Sequence, residues 1–286
     1  MRIDLHTHST ASDGTDTPAE LLRNAAAAGL DVVAITDHDN TAGWSEAEAT
    51  HAELGRMLLV RGMEMSCTGD GEDGEPVPVH LLAYLFDPDN EVFAAERERL
   101  RAERITRLRG MADKMAADGL PVDPDAVMAG AGVSAGRPHL ARALVAAGVV
   151  ESVNEAFTRL LAHNGPYYVE KADTPLTKAV EMITAAGGVS VVAHARARKR
   201  GRLLSLDHIR RLVDSGLSGL EIEHPDHSEP DKAVLRGLAG ELNLAVTGSS
   251  DYHGSNKTVR LGEFTTDPAE FERLLATATG VPVLGR

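Results

Sequence analysis

One cysteine, Cys67, stands in 286 residues, so no internal disulfide can staple this chain. A reducing cytoplasm is the expected location, with Cys67 a small buried filler. Aromatics are nearly as scarce, 3% against 43% hydrophobic residues in all, so the core has to be built from Ala, Leu and Val. No apolar run approaches the roughly 20 residues that cross a bilayer. The first residues also lack the basic-then-apolar pattern of a secretion signal, and no membrane association is expected. Basic residues are the minority: 29 Lys and Arg face 43 Asp and Glu, a formal net charge of −14. Such a surface repels long nucleic acid, yet leaves room for a locally basic pocket fitted to a small anion.

Two basic runs break the acidic background. Arg97, Arg99, Arg101, Arg104, Arg107 and Arg109 interleave with Glu96, Glu98 and Glu103 at helical spacing, which predicts a solvated helix face. The run Arg196–Arg202 has no interleaved acid and closely follows His194. There an anion-binding loop and a merely solvated one are equally open.

The rest of the chain is rhythmic. A short strand, Ile3–Leu5, precedes a helix opened by the capping pattern Thr17-Pro-Ala-Glu20 and ended at Gly29. Strand 31–35, helix 41–54, strand Leu58–Met63, a Gly/Asp/Glu loop at 69–75 and strand Val77–Phe86 follow. Later come helix 175–186, strand 189–193, helix 205–215, strand 217–222, helix 229–240 and strand 244–247. Such alternation predicts an α/β fold, βα units around a parallel sheet closed or nearly closed into a barrel. Residues 90–165 are helical without a convincing strand. The expected organisation is a barrel from 1–89 and 166–286, with 90–165 a helical insertion capping it.

Ligand-type side chains gather where the expected strands end. His6 and His8 follow the first strand, and Asp13 lies in the Ser12-Asp-Gly14 turn after them. His38 follows the second strand and Glu64 the third, while His80 lies within the next. His194 ends the strand after the insertion, and Asp251 and His253 end the last. In a parallel barrel these ends share one face, where active sites lie. Six imidazoles and three carboxylates on one rim point to a multinuclear metal site, because unpaired buried polar groups are costly.

The ordered set Asp4-Leu-His-Thr-His-Ser9, Ser12-Asp-Gly14, Thr36-Asp-His-Asp39, Gly62-Met-Glu64, His80, His194 and Asp251-Tyr-His253 resembles the polymerase and histidinol phosphatase (PHP) family. The likeness runs from residue 1 to about 255, outside the insertion. It implies a distorted seven-stranded βα barrel with a trinuclear site. The Asp in Ser12-Asp-Gly14 resembles the branch of small nucleotide phosphoesterases, in which a helical insertion caps the site. By this resemblance His6, His8, Glu64 and Asp251 hold one ion. Glu64 bridges to a second, completed by His80 and His194. Asp13, His38 and His253 hold the third and are the residues assigned to catalysis.

Mixed imidazole and carboxylate ligands suit Mn2+ first, with Fe2+ or Zn2+ as alternatives. Three divalent ions are balanced by three carboxylates, one bridging hydroxide and a phosphate-monoester dianion, so the charge count leans toward monoesters. The implied reaction is attack of a metal-bridging hydroxide on the phosphate of a nucleoside monophosphate or 3',5'-bisphosphate. Exonuclease action on short RNA from its 5' end, histidinol phosphatase activity and a non-catalytic metal-binding regulatory module are the alternatives.

Within the insertion, Gly136-Arg-Pro-His-Leu-Ala141 resembles a substrate-contacting motif of the same branch, making Arg137 and His139 candidate substrate ligands. Lys171, where the chain re-enters the barrel, is a third. The family usually has Pro after the position of His194, whereas this chain has Ala195, which leaves that loop and substrate selectivity open. His224 and His227 read equally as supporting groups or loop residues. His51, His163 and His208 read as structural.

Overall fold

The Thr17–Glu20 capping box closes as its sequence predicts. Thr17 Oγ1 accepts from the Glu20 amide at 3.1 Å, and Glu20 accepts from the Thr17 amide at 2.8 Å. In this computed structural model, which describes residues 1–131, 135–162 and 165–286, the box starts helix α1 (Pro18–Ala27) between strands β1 (Ile3–Asp4) and β2 (Val32–Ile35). The chain continues through α2 (Trp44–Leu54), β3 (Leu58–Asp70) and β4 (Pro76–Tyr84). An all-helical stretch follows: α3 (Glu91–Ala117), α4 (Pro124–Gly130), α5 (Arg137–Ala146), α6 (Val153–Ala156) and a π-helical turn, Phe157–Leu161. Alternation then resumes with β5 (Thr174–Pro175), α7 (Leu176–Ala185), β6 (Val189–Val192) and α8 (Leu206–Leu212). It ends with β7 (Gly219–Glu223), α9 (Glu229–Leu242), β8 (Ala245–Gly248) and α10 (Pro268–Leu275).

The strands run in the order β1-β2-β3-β4-β6-β7-β8, with β5 beside β3. The two ends meet where the His8 amide donates to the Tyr252 carbonyl at 2.8 Å, leaving a nearly closed, distorted seven-stranded barrel. Side chains along β2 alternate between two cores, as a strand's period of two requires. Val32 and Ala34 join Ile3, Val60, Leu82 and Val191 in one cluster. Val33 and Ile35 join Leu21 and Leu22 of α1 in the other.

One strand departs from the expected parallel sheet. β4 is antiparallel to both β3 and β6. Only residues 71–75 separate β3 from β4, whereas a parallel crossover takes about a dozen residues or more. The hairpin also carries β3 beyond its expected end, so Glu64 lies inside a strand rather than at its tip, while His80 lies within β4 as expected.

Helix α3 joins the barrel to the helical stretch. Its Phe93 and Leu100 pack in the barrel's outer cluster, while Leu108, Met111 and Met115 join Leu140, Leu144 and Leu161 in a separate one. A helix covered on two sides cannot present all its arginines to water. Arg97, Arg104 and Arg107 are buried, which corrects the expected solvated face. Only part of the run behaves as expected, in ion pairs such as Glu98–Arg101 at 2.7 Å and Arg109–Asp113 at 2.9 Å. Interleaved charges report which residues pair along a helix, not which face a second layer covers. Cys67 is fully buried, as expected. Among the described residues, no helix is long and apolar enough to cross a membrane.

Candidate metal centre

His6 and His8 leave β1 two residues apart and bring their Nε2 atoms within 3.0 Å of each other. These nitrogens lie 3.3 and 3.1 Å from Glu64 Oε2, and each lies 3.5 Å from Asp251 Oδ1. Glu64 is the hub of the cluster. Its Oε1 lies 2.7 Å from His80 Nδ1 and 3.0 Å from His194 Nε2, and its Oε2 lies 3.1 Å from His38 Nδ1. Asp13 approaches from the other side, 3.3 Å from His253 Nε2 and 3.6 Å from His38 Nε2. The turn that delivers Asp13 is tight: a Cβ on Gly14 would meet the His8 carbonyl oxygen at 2.4 Å. All nine side chains are buried except His80, which is partly exposed.

The residues form three overlapping donor groups, each with its ligand atoms within 4.8 Å of one another: His6, His8, Glu64, Asp251; His8, Asp13, His38, His253; and His38, Glu64, His80. The resemblance implied His194 in the group with Glu64 and His80. Instead His38 stands there, and His194 touches Glu64 from outside the three groups. Donors about 2.1 Å from a shared tetrahedral ion lie ~3.4 Å apart, the range of the contacts made by His6, His8 and Asp251. Asp251 Oδ1 is buried without a hydrogen-bond partner among the described residues and faces those two imidazoles. A lone pair held in that way fits a cation. The donor set therefore suits divalent metal.

The electrostatics are those of carboxylates and imidazoles packed against one another. Burial alone would push Asp13 and Glu64 up. The imidazoles of His38 and His253 around Asp13, and of His80, His6 and His38 around Glu64, hold both well below the usual carboxylate range. Burial draws His8 down, but the nearby Asp251 and Glu64 carboxylates raise it to about 9. Burial and the Arg200 charge hold His194 down to about 3, so its ring is neutral. His194 and Asp251 also have positive φ, 31° and 53°. Such strain costs on the order of 1–3 kcal/mol per residue and clusters at functional sites.

A surrounding layer escaped the sequence reading. Glu221 Oε1 lies 3.0 Å from His6 Nδ1 and its Oε2 accepts from the His194 amide at 2.8 Å. Asp37 accepts from the Ser9 amide at 2.8 Å and from the Ser9 and Ser12 hydroxyls at 2.6 Å, fixing the turn before Asp13. Glu221 did leave a signal, as an acid inside an otherwise apolar strand. His224 Nε2 lies 3.3 Å from Asp251 Oδ2, which places it beside a candidate ligand. His227 instead accepts from the Arg196 amide at 3.2 Å, a structural role. His51 and His208 bind backbone at Met57 and Asp70, as expected of structural histidines. His163 lies outside the described residues.

The helical stretch carries two of the candidate substrate ligands, Arg137 and His139, and Lys171 follows it. Arg137 donates to the Leu161 carbonyl at 2.9 Å, with its guanidinium over the Phe157 and Tyr168 rings. His139 Nδ1 lies 3.2 Å from the Gly136 backbone at the start of α5, and Asp13 acts on it electrostatically. Lys171 is buried against Asp173. Arg104, read beforehand as solvated, contacts the Asp39 carboxylate and donates to Ser66 Oγ at 2.8 Å.

The PHP domain family matches residues 4–120. The chain is similar to a 3',5'-nucleoside bisphosphate phosphatase of Chromobacterium violaceum, 33% identical over 253 residues that cover 88% of this chain and 87% of that one. It is also similar to a 5'-3' exoribonuclease of Haemophilus influenzae, 32% identical over 267 residues covering 92% and 93%. A crystal structure of a Bifidobacterium adolescentis protein, assigned as a metal-dependent phosphoesterase, superposes with a TM-score of 0.90 at 36% identity, covering 99% and 98%. A barrel rim of imidazoles and carboxylates around one central glutamate, together with these likenesses, identifies the chain as a metal-dependent phosphoesterase of the PHP family.

Proposed function

We propose that this enzyme hydrolyses phosphate monoesters of small nucleotides, with preference for those carrying a second phosphate, such as 3',5'-bisphosphates. Three divalent ions, Mn2+ first, are assigned to the nine donors His6, His8, Asp13, His38, Glu64, His80, His194, Asp251 and His253. When bound, such ions polarise phosphoryl oxygens and lower the pKa of water. The protein's own part is to orient the ester and neutralise whatever else it carries.

The observation that carries this reading is a buried to half-buried cluster of basic groups beside the donors. Arg104, Arg107, Arg137 and Lys171 act electrostatically on one another where the cap meets the barrel. Asp39 pairs with Arg104 and Asp173 with Lys171. Arg107 Nε is buried with no hydrogen-bond partner among the described residues. Burial, with the Arg104 charge beside it, pushes Lys171 down to about 6, so the standing positive charge at neutral pH is the three guanidiniums, whose forks suit phosphate oxygens. The relative from C. violaceum is named for a substrate with two phosphates.

Phosphate release should be measured with Mn2+, Fe2+ or Zn2+ on a nucleoside monophosphate, its 3',5'-bisphosphate, histidinol phosphate and short 5'-phosphorylated RNA. The bisphosphate is expected to have the highest kcat/KM. Arg137→Ala should cost it about 1.5–3 kcal/mol of transition-state binding, the scale of a charged hydrogen bond. Preference for RNA over every small nucleotide would instead favour an exonuclease, the activity for which the H. influenzae relative is named. No release from any substrate with any metal overturns the proposal.

A further inference from the structure

Most of the Arg196–Arg202 run is neutralised locally. Arg196 donates to Asp231 at 3.2 Å and to Glu72 at 2.8 Å, Arg198 binds Asp231 at 2.7 Å, and Arg202 pairs with Asp73 at 3.1 Å. These pairs pin the short 3₁₀ turn Arg198–Arg200 against the barrel. Arg200 is the member that reaches the donor cluster. Its Nη2 lies 2.8 Å from Asp251 Oδ2 and 2.9 Å from Asp226 Oδ2, while Nη1 lies 3.0 Å from His194 Nε2.

That last contact conflicts with a second one. His194 Nε2 also lies 3.0 Å from Glu64 Oε1. Glu64 is a carboxylate and only accepts; Arg200 is a guanidinium and only donates. One ring nitrogen carries either a proton for Glu64 or a lone pair for Arg200, never both. A divalent cation between Glu64 and His194 resolves the conflict, because it takes a lone pair from each. It then claims the lone pair that Arg200 uses.

We propose that Arg200 is a built-in competitor for the cation at His194, and that loading this position releases one edge of its guanidinium to bind a phosphoryl oxygen of the substrate. The side chain need not travel far. Asp226 and Asp251 Oδ2 continue to hold Nη2 while Nη1 is freed. The released edge belongs to the same electrostatic neighbourhood as Arg137 on the cap, whose guanidinium feels the Arg200 charge. An anion between the two relieves that repulsion. Arg200 thereby couples metal occupancy to substrate binding, by one lone pair with two claimants.

The inference rests on the metal reading of the donor cluster, and its test separates the two. Metal-depleted full-length protein is titrated with Mn2+ and with Zn2+ in the absence of substrate, for the wild type, Arg200→Gln and Arg200→Lys. Arg198→Gln, which loses only its Asp231 pair, serves as the structural control. Removing a cationic competitor should tighten the weakest metal equivalent in Arg200→Gln roughly tenfold, since unit charges a few ångströms apart interact strongly at the effective dielectric of such a site. Arg200→Lys, which keeps the charge, should gain less. With metals saturating, Arg200→Gln should raise KM for an aryl phosphate while kcat changes less. Unchanged or weaker metal binding in Arg200→Gln overturns the competition. Unchanged KM overturns the phosphate contact. A wild type that binds no divalent ion refutes the metal reading itself.

Discussion

Glu221 Oε1 lies 3.0 Å from His6 Nδ1, a fully buried contact between β7 and the end of β1. With Nδ1 donating to Glu221, a bound metal would take the Nε2 lone pair on the side of Glu64 and Asp251. Partners of this kind orient metal ligands and raise their basicity. Glu221→Gln keeps the size and removes the charge. We expect a loss of about 10–100-fold in metal affinity, read by elemental analysis after dialysis against a weak chelator. Undiminished metal content with full turnover would contradict this role.

Asp13 is the only carboxylate in the group with His8, His38 and His253. Asp13→Ala leaves three imidazoles to attract an ion without its countercharge. The variant should fold with an unchanged circular-dichroism spectrum, carry less metal than the near three equivalents proposed for the wild type, and lose nearly all turnover. Full activity with a single bound ion would remove the trinuclear assignment.

Arg104 and Asp39 form a buried pair that also anchors Ser66. Burial alone would raise the Asp39 carboxyl, but Arg104, with Lys171 and His38, holds it well below its ordinary value of 3.8. A carboxylate depressed in the folded state stabilises the protein above its unfolded pKa, and that stability is lost as pH falls through the folded value. Arg104→Met removes the largest influence holding the carboxyl down, so it moves up and the buried carboxylate is penalised at neutral pH. Breaking such a pair costs on the order of 3–5 kcal/mol. The deficit should be largest near neutral pH and shrink on acidification, as followed by urea unfolding at several pH values. A deficit independent of pH would show that Asp39 is not the group responsible.

Arg107 makes the opposite case. Burial, with the neighbouring charges of Arg104 and Arg137, pushes its pKa down to about 9. Among the described residues its Nε has no partner to offset that cost. Arg107→Met should therefore leave Tm unchanged or raise it, while KM for a nucleoside bisphosphate rises and that for an aryl phosphate hardly moves. A sharp fall in Tm would make Arg107 a structural residue instead.

Local rules carried much of this protein. Two histidines two apart at the end of an apolar run must share a side of the strand, which sets the Nε2 atoms of His6 and His8 within reach of one ion. Strand ends in βα units collect on one rim, so His38, His194, Asp251 and His253 were legible as one cluster. Thr17 and Glu20 announced α1 because a capping box satisfies its own backbone groups. The remainder depends on what packs against what. The antiparallel turn of β4 follows from a connection too short to cross over. Burial of Arg104 and Arg107 follows from covering α3 on two sides, which its charge spacing does not encode. Glu221 and Arg200 join the site through contacts with His6, 215 positions away, and Asp251, 51 away. No periodicity records such pairings, because they are made by barrel closure rather than by neighbours in the chain.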